Sequence, residues 1–149
     1  MKTPITELEQ LTINNASRNY LSEISKWAFF LSIVGFVGVA FFVLVAIFSG
    51  IFFGEEFNSL YENQIPFNMG SFISVTYLVI AAIYFFPILY LFKFSKKMKI
   101  ALASKNDDSL SGAFEMLKSH YKFLGVFTII VLSLYALLFI IGMLGFAFV

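Results

Sequence analysis

The sequence predicts an all-α fold of three transmembrane helices, and composition, charge placement and span length support this prediction. Of the 149 residues, 60% are hydrophobic and only 13% are charged, against about 25% charged in an ordinary soluble domain. Every charged residue lies outside three apolar stretches, 27–53, 71–92 and 123–149. Each stretch exceeds the roughly 20 residues that a helix needs to cross a hydrocarbon core. We therefore predict a single integral membrane domain over 1–149 with three spans.

The loops between the spans predict the orientation of the chain. The segment 93–122 contains seven lysines, whereas 54–70 contains three glutamates and no basic residue. Short basic loops stay in the cytoplasm during membrane insertion. The N-terminus is therefore expected inside and the C-terminus outside, with 54–70 as the outer loop.

The N-terminal segment 1–26 is predicted to be cytoplasmic, loosely ordered at first and then amphipathic and helical. Its apolar residues near the first span share one helical face: Tyr20, Leu21, Ile24 and Trp27. We expect this face to lie at the membrane surface or to pack on another cytoplasmic helix. Trp27, the only tryptophan, is predicted to anchor the first span at the membrane interface.

Small residues on the first span predict close helix packing. Ala46, Gly50 and Gly54 follow each other at four-residue spacing, and Gly35 and Gly38 form a second smooth patch. Such residues allow two helix backbones to approach closely within a membrane. The pattern does not indicate which helix packs there.

Hydroxyl side chains recur at seven-residue spacing on the other two spans. Tyr77 and Tyr84 lie on the second span, and Thr128 and Tyr135 repeat the spacing on the third. Because a buried hydroxyl needs a partner, we expect these faces to meet each other or another subunit, and we prefer packing to a substrate pathway. Pro87 is predicted to bend the second span, and we favour a structural bend over a functional hinge.

The stretch "YLFKFSKKMKIAL" predicts that the second helix continues beyond the membrane to about Ser104. It contains good helix formers and no Gly or Pro. The membrane is expected to end near Lys93, with the neighbouring lysines reaching the headgroups and attracting anionic lipid. The predicted membrane-interface residues are Trp27, Lys93, Lys96, Lys97, Lys99 and Lys122.

The segment "KNDDSLSG" predicts a turn and a new helix capped by Asp107, Asp108 or Ser109. A stripe of apolar residues then follows at helical spacing: Leu110, Ala113, Phe114, Leu117, Tyr121 and Leu124. The second and third helices are therefore expected to form a cytoplasmic hairpin over 93–122.

Charge and motif content argue against most chemical functions. The formal net charge of +1 gives no case for nucleic acid, and the absence of cysteine removes thiolate chemistry and thiolate metal sites. The spans contain no ionisable residue other than tyrosine, and no phosphate loop, HExxH or GxSxG motif occurs. His120 is the only histidine, so we interpret it as an interfacial residue without a chemical role in preference to a pH sensor or a metal ligand. We predict no catalytic residue, cofactor or metal.

Three stretches, "YLSEISKWAFFLSIVGF", "YFFPILYLFKFSKKMKIAL" and "LKSHYKFLGVFTIIV", carry a family resemblance. They resemble an uncharacterised bacterial family of small multi-pass membrane proteins, defined as a domain of unknown function. The resemblance covers roughly 20–140 and implies one compact domain in the bacterial cytoplasmic (inner) membrane. It provides no catalytic residues to transfer.

The leading functional hypothesis is a non-enzymatic protein that associates with itself or serves as an accessory subunit of a membrane assembly. Its partners would be the lipid bilayer with its anionic headgroups and either further copies or another membrane protein. The alternative is a small oligomeric channel or transporter, because three helices alone enclose too little space for a pore. An enzyme is the third and weakest reading.

Overall fold

A computed structural model describes residues 13–53, 59 and 68–147, and these residues form three long helices. Helix α1 spans Asn15–Phe48 and continues as a π-helical turn over Ser49–Phe53. Helix α2 spans Met69–Ser104, and helix α3 spans Asp107–Ala147. No strand occurs in these ranges, and each helix contains a segment long and apolar enough to cross a membrane. The predicted all-α fold with three candidate spans is confirmed.

Each helix begins with an asparagine whose side chain replaces a missing intrahelical partner. The first N–H groups of a helix have no acceptor within it, and a side-chain oxygen at the N-cap satisfies one of them. The three Oδ1 atoms accept from the backbone N–H three residues later at 2.7–3.0 Å. The capping residues are Asn14, Asn68 and Asn106.

The turn between α2 and α3 is only two residues long. Lys105 adopts the left-handed conformation, with φ 51° and ψ 41°, and its N–H donates to the carbonyl of Ala101. This conformation reverses the chain so sharply that the N-cap of α3 is Asn106, and the expectation of a cap at 107–109 is wrong. Asp107 and Asp108 instead occupy the first turn of α3, where negative charge interacts favourably with the helix dipole.

Helix α2 forms the centre of the fold. It continues past Lys93 to Ser104, as the sequence predicts, and its helical backbone includes Pro87. Both α1 and α3 pack along α2 in antiparallel fashion, and α1 and α3 share no close backbone approach within the described ranges. The hairpin of α2 and α3 is therefore joined by α1 on the other side of α2.

The most deeply buried side chains lie toward the end of this arrangement that contains the turn at Lys105. Phe94 and Met98 of α2 are fully buried between Ala28 of α1 and Ala113 of α3. Partly buried side chains complete this cluster: Leu21, Leu91, Leu102, Leu110, Met116 and Leu117. Burial of apolar surface stabilises helix contacts in water, whereas lipid solvates apolar side chains within the membrane. A concentrated apolar core is therefore needed mainly where the helices leave the bilayer.

The apolar stripe expected on α3 faces α2 only in part. Ala113 is fully buried and Leu117 is half-buried, but Phe114 is 44% and Tyr121 65% exposed. The contact face is rotated toward the small residues at 112–113, because their short side chains let α2 come close. On α1, likewise, Leu21 packs in the core while Tyr20, Ile24 and Trp27 are exposed.

Candidate functional site

Polar contacts fix α1 to α2 at the end of the bundle that contains the turn at Lys105. The Ser95 hydroxyl donates to the carbonyl of Ser25 across the two helices at 2.7 Å, in a buried position. The Arg18 guanidinium donates to the carbonyl of Leu102. This carbonyl belongs to the last turn of α2, so the contact places a positive charge at the negative end of the helix dipole.

The small residues of the first span pack on α2 of the same chain. Ala46 is fully buried, and a Cβ atom added at Gly50 would lie 3.5 Å from the Ser74 hydroxyl oxygen. The closest approach is at Gly35, where an added Cβ would lie 2.8 Å from Cγ1 of Ile88. Gly54 lies outside the described residues. In one chain, Ala46 is therefore covered, whereas Gly50 is exposed and lies beside Ser74.

The two hydroxyl faces do not meet within the chain. Tyr77 and Tyr84 both pack against the ring of Phe42 on α1, with centroid distances of 6.1 and 6.3 Å. Thr128 and Tyr135 lie on the exposed surface of α3, where Tyr135 is 67% exposed. The Tyr84 ring also reaches the ring of Phe127 on α3, at a centroid distance of 6.5 Å. A partner in another subunit for the Thr128 and Tyr135 hydroxyls stays a proposal.

His120 joins α3 to α2 inside the predicted membrane region. The ring is half-buried, and its Nδ1 atom lies 2.8 Å from the carbonyl oxygen of Pro87. Because that oxygen can only accept, Nδ1 carries the proton and donates. No group of potential metal ligands surrounds this ring among the described residues. The geometry gives His120 an interhelical bond that its sequence context did not indicate.

The contact between His120 and Pro87 reveals a vertical offset between the two basic regions of the hairpin. Pro87 lies six residues before Lys93 on α2, or about 9 Å farther from the turn at Lys105, at ~1.5 Å per residue. His120 is opposite Pro87, and Lys122 lies still farther along α3. The backbone of Lys122 therefore lies well inside the predicted hydrocarbon region, whereas the headgroup level is predicted at Lys93.

The other helices are apolar at the depth where α3 carries Lys122. Phe86 of α2 is 49% exposed and Val34 of α1 is 51% exposed, and the contact between Gly35 and Ile88 places both near the level of Pro87. Sequence reasoning missed the offset because it placed the membrane boundary on each helix from that helix's own charges. Only the register between helices shows that the boundaries differ.

A groove next to this offset combines polar and apolar ends. Tyr90 of α2 with Ser119 and Lys122 of α3 line the end nearer the turn at Lys105. Farther along α3, the groove is lined by Phe123, Val126, Phe127 and Ile130. Its volume is about 380 Å³. The order of the lining residues places a cation and a phenol at one end of an otherwise apolar groove.

The remaining residues predicted at the interface are spread around the half of the bundle that contains the turn at Lys105. Trp27, Lys93 and Lys99 are exposed. The Lys96 ammonium lies 4.6 Å from the centre of the Phe92 ring, within the range of a cation–π contact. The Lys97 side chain passes over Gly112, where an added Cβ would lie 3.1 Å from Nζ. These lysines surround the helices and do not converge on one ligand site.

The segment made by α2 and α3 also defines the family of the chain. The sequence matches a Family of unknown function (DUF5362) over residues 69–143, which is half of the chain. The chain belongs to this family. The DUF5362 segment begins at the first residue of α2, ends near the end of α3 and includes the groove and the bond between His120 and Pro87. No curated protein and no solved structure shows significant similarity to the sequence.

Proposed function

We propose that this member of DUF5362 is a non-enzymatic subunit of the bacterial cytoplasmic membrane that associates with a second copy through the outer half of α3. The observation that carries the proposal is the lack of packing on this half. Every residue from Leu132 to Leu144 is exposed, although α1 and α2 pack together across their spans. An N-terminus inside and a C-terminus outside would place this half of α3 in the outer leaflet.

Two hydroxyl groups distinguish this surface from a purely lipid-facing helix. The Ser133 hydroxyl donates to the carbonyl of Ile129 within its own helix. Within the described part of the chain, the Thr128 and Tyr135 hydroxyls have no recorded hydrogen-bond partner. A hydroxyl placed in hydrocarbon without a partner is unfavourable. A contact between subunits would supply partners that lipid tails cannot.

The spacing of this face favours a second copy as the partner. Thr128, Tyr135 and Gly142 are each seven residues apart, and a Cβ added at Gly142 would have nothing within 4 Å. In a parallel helix pair, residues at seven-residue spacing stay on the shared seam. A two-fold axis would bring identical residues to the same depth, so hydroxyl would face hydroxyl and glycine would face glycine.

Cysteine crosslinking tests this arrangement directly, because the natural chain has no cysteine. We expect Tyr135→Cys and Gly142→Cys to form disulfide-linked dimers in native membranes under mild oxidation. Leu137→Cys is the control, since two residues along a helix place its side chain on nearly the opposite face. Equal crosslinking at all three positions, or none, would contradict the proposal. A larger ring that conducts ions in planar bilayers would favour the channel alternative.

A further inference from the structure

We propose that the groove between α2 and α3 binds one anionic phospholipid of the cytoplasmic leaflet. The lipid phosphate would lie between the Lys122 ammonium and the Tyr90 hydroxyl. One acyl chain would follow the apolar lining past Val126 toward Ile130. This inference concerns a different face of α3 from the proposed subunit contact, because Val126 and Thr128 lie about 200° apart around the helix axis.

The polar end of the groove has unsatisfied binding capacity. Within the described ranges, the exposed Lys122 ammonium and the hydroxyl of half-buried Tyr90 have no hydrogen-bond or ion-pair partner in the chain, so both can bind a ligand. Ser119 donates to the carbonyl of Glu115 in its own helix at 2.9 Å, so its oxygen retains acceptor capacity only. The two free donors therefore come from Lys122 and Tyr90, one on each helix.

The local charge favours an anion over a zwitterion. Lys118 precedes Lys122 by one turn of α3. The nearest carboxylate on α3, that of Glu115, belongs to a residue about 10 Å from Lys122 along the helix axis. A phosphate with net negative charge is attracted by both ammonium groups. A zwitterionic headgroup adds a cation that these groups repel.

The depth of Lys122 explains why a lipid is a better occupant than a soluble phosphate. Lys122 lies farther from the turn at Lys105 than the level of Pro87, where α1 and α2 expose apolar side chains. A charged group at this level is costly unless it reaches the interface or meets an opposite charge. A lipid phosphate can meet the ammonium while its acyl chain fills the adjacent apolar part of the groove. A free phosphate would leave that part empty.

A tryptophan reporter in the groove can measure occupancy in the full-length protein. Trp27→Phe removes the only native tryptophan, and Val126→Trp adds one to the groove lining. The protein is reconstituted in phosphatidylcholine vesicles containing phosphatidylglycerol or phosphatidylcholine with brominated acyl chains, and fluorescence quenching is compared. We expect phosphatidylglycerol to bind at the reporter about fivefold more strongly, the factor that one lysine contributes near a membrane surface.

Substitutions in the reporter protein then assign the preference to the site. Lys122→Gln is expected to reduce the preference for phosphatidylglycerol to near one. Lys118→Gln, the matched control one turn away and outside the groove lining, is expected to retain most of it. Tyr90→Phe should lower the preference while keeping the ring. Soluble glycerophosphate at millimolar concentration should not change the quenching.

Equal quenching by the two brominated lipids in the reporter protein would overturn the proposal. An equal loss in Lys118→Gln and Lys122→Gln would also overturn it, because the effect would then be general surface attraction. Displacement by glycerophosphate would indicate a free-anion site instead. Native mass spectrometry of the protein with its natural Val126 gives a second measure: it should retain a phosphatidylglycerol adduct that Lys122→Gln loses and Lys118→Gln keeps.

Discussion

The substitution Gly35→Ala tests the closest contact between α1 and α2. The new Cβ would lie 2.8 Å from Cγ1, 2.9 Å from Cδ1 and 3.1 Å from Cγ2 of Ile88. Because two γ carbons on the branched Cβ of Ile88 crowd the same position, rotation of the side chain relieves only part of the contact, and the side chain or the helices must shift. We expect overpacking of this kind to cost about 1–3 kcal/mol.

Gly38→Ala provides the matched control on the same helix. A Cβ at Gly38 would have nothing within 4 Å, so this variant should show only the gain in helix propensity, up to about 1 kcal/mol. The same gain applies to Gly35→Ala. The difference in unfolding free energy between the two variants therefore isolates the steric cost.

The assay is reversible unfolding in mixed micelles with an increasing fraction of dodecyl sulfate, followed by circular dichroism and by Trp27 fluorescence. Ile88→Ala removes all three crowding carbons, so in that background Gly35→Ala should behave like Gly38→Ala. A double-mutant cycle gives the coupling energy. Equal stability of Gly35→Ala and Gly38→Ala in the otherwise natural chain would refute the close approach of α1 and α2.

Three further predictions concern the hairpin and its orientation. Lys105→Gly should raise the unfolding free energy by up to about 1 kcal/mol, because glycine adopts the left-handed conformation without a steric penalty; the same micelle titration would show no gain if the turn had another geometry. His120→Leu should lower it by roughly 0.6–1.7 kcal/mol, the usual range for an interhelical hydrogen bond in a membrane. His120→Asn should retain part of this contribution, and equal losses in both variants would argue against the bond to Pro87. An impermeant thiol reagent applied to intact cells should label a single cysteine at Asn63 but not one at Asn106, and the reverse pattern would invert the topology.

The helical extension of α2 could be predicted from the sequence because it depends on local properties. The residues from Lys93 to Ser104 are good helix formers without Gly or Pro, and the structure confirms the helix to Ser104. The start of α3 was placed too late for an equally local reason. The left-handed conformation of Lys105 moves the cap to Asn106, and no periodic pattern signals a single residue of that kind.

The packing face of α3 could not be predicted from hydrophobicity alone. In water, an apolar stripe marks the buried face, but in a membrane the exposed face is apolar as well. Phe114 and Tyr121 are accordingly exposed, whereas α2 approaches α3 where Gly112 and Ala113 are small. The position of Lys122 at the interface stays a prediction, and its depth relative to Lys93 follows only from contacts between helices.

The central position of α2 has a consequence for the order in which the fold can assemble. Since α1 and α3 each pack on α2 and not on one another, the α1–α2 pair can form as soon as the ribosome has delivered α2 to the insertion machinery. The last helix then docks sideways on this preformed pair and covers Phe94 and Met98 with Ala113. A chain truncated after Ser104 would retain the first pairing but leave these two side chains without their contacts on α3.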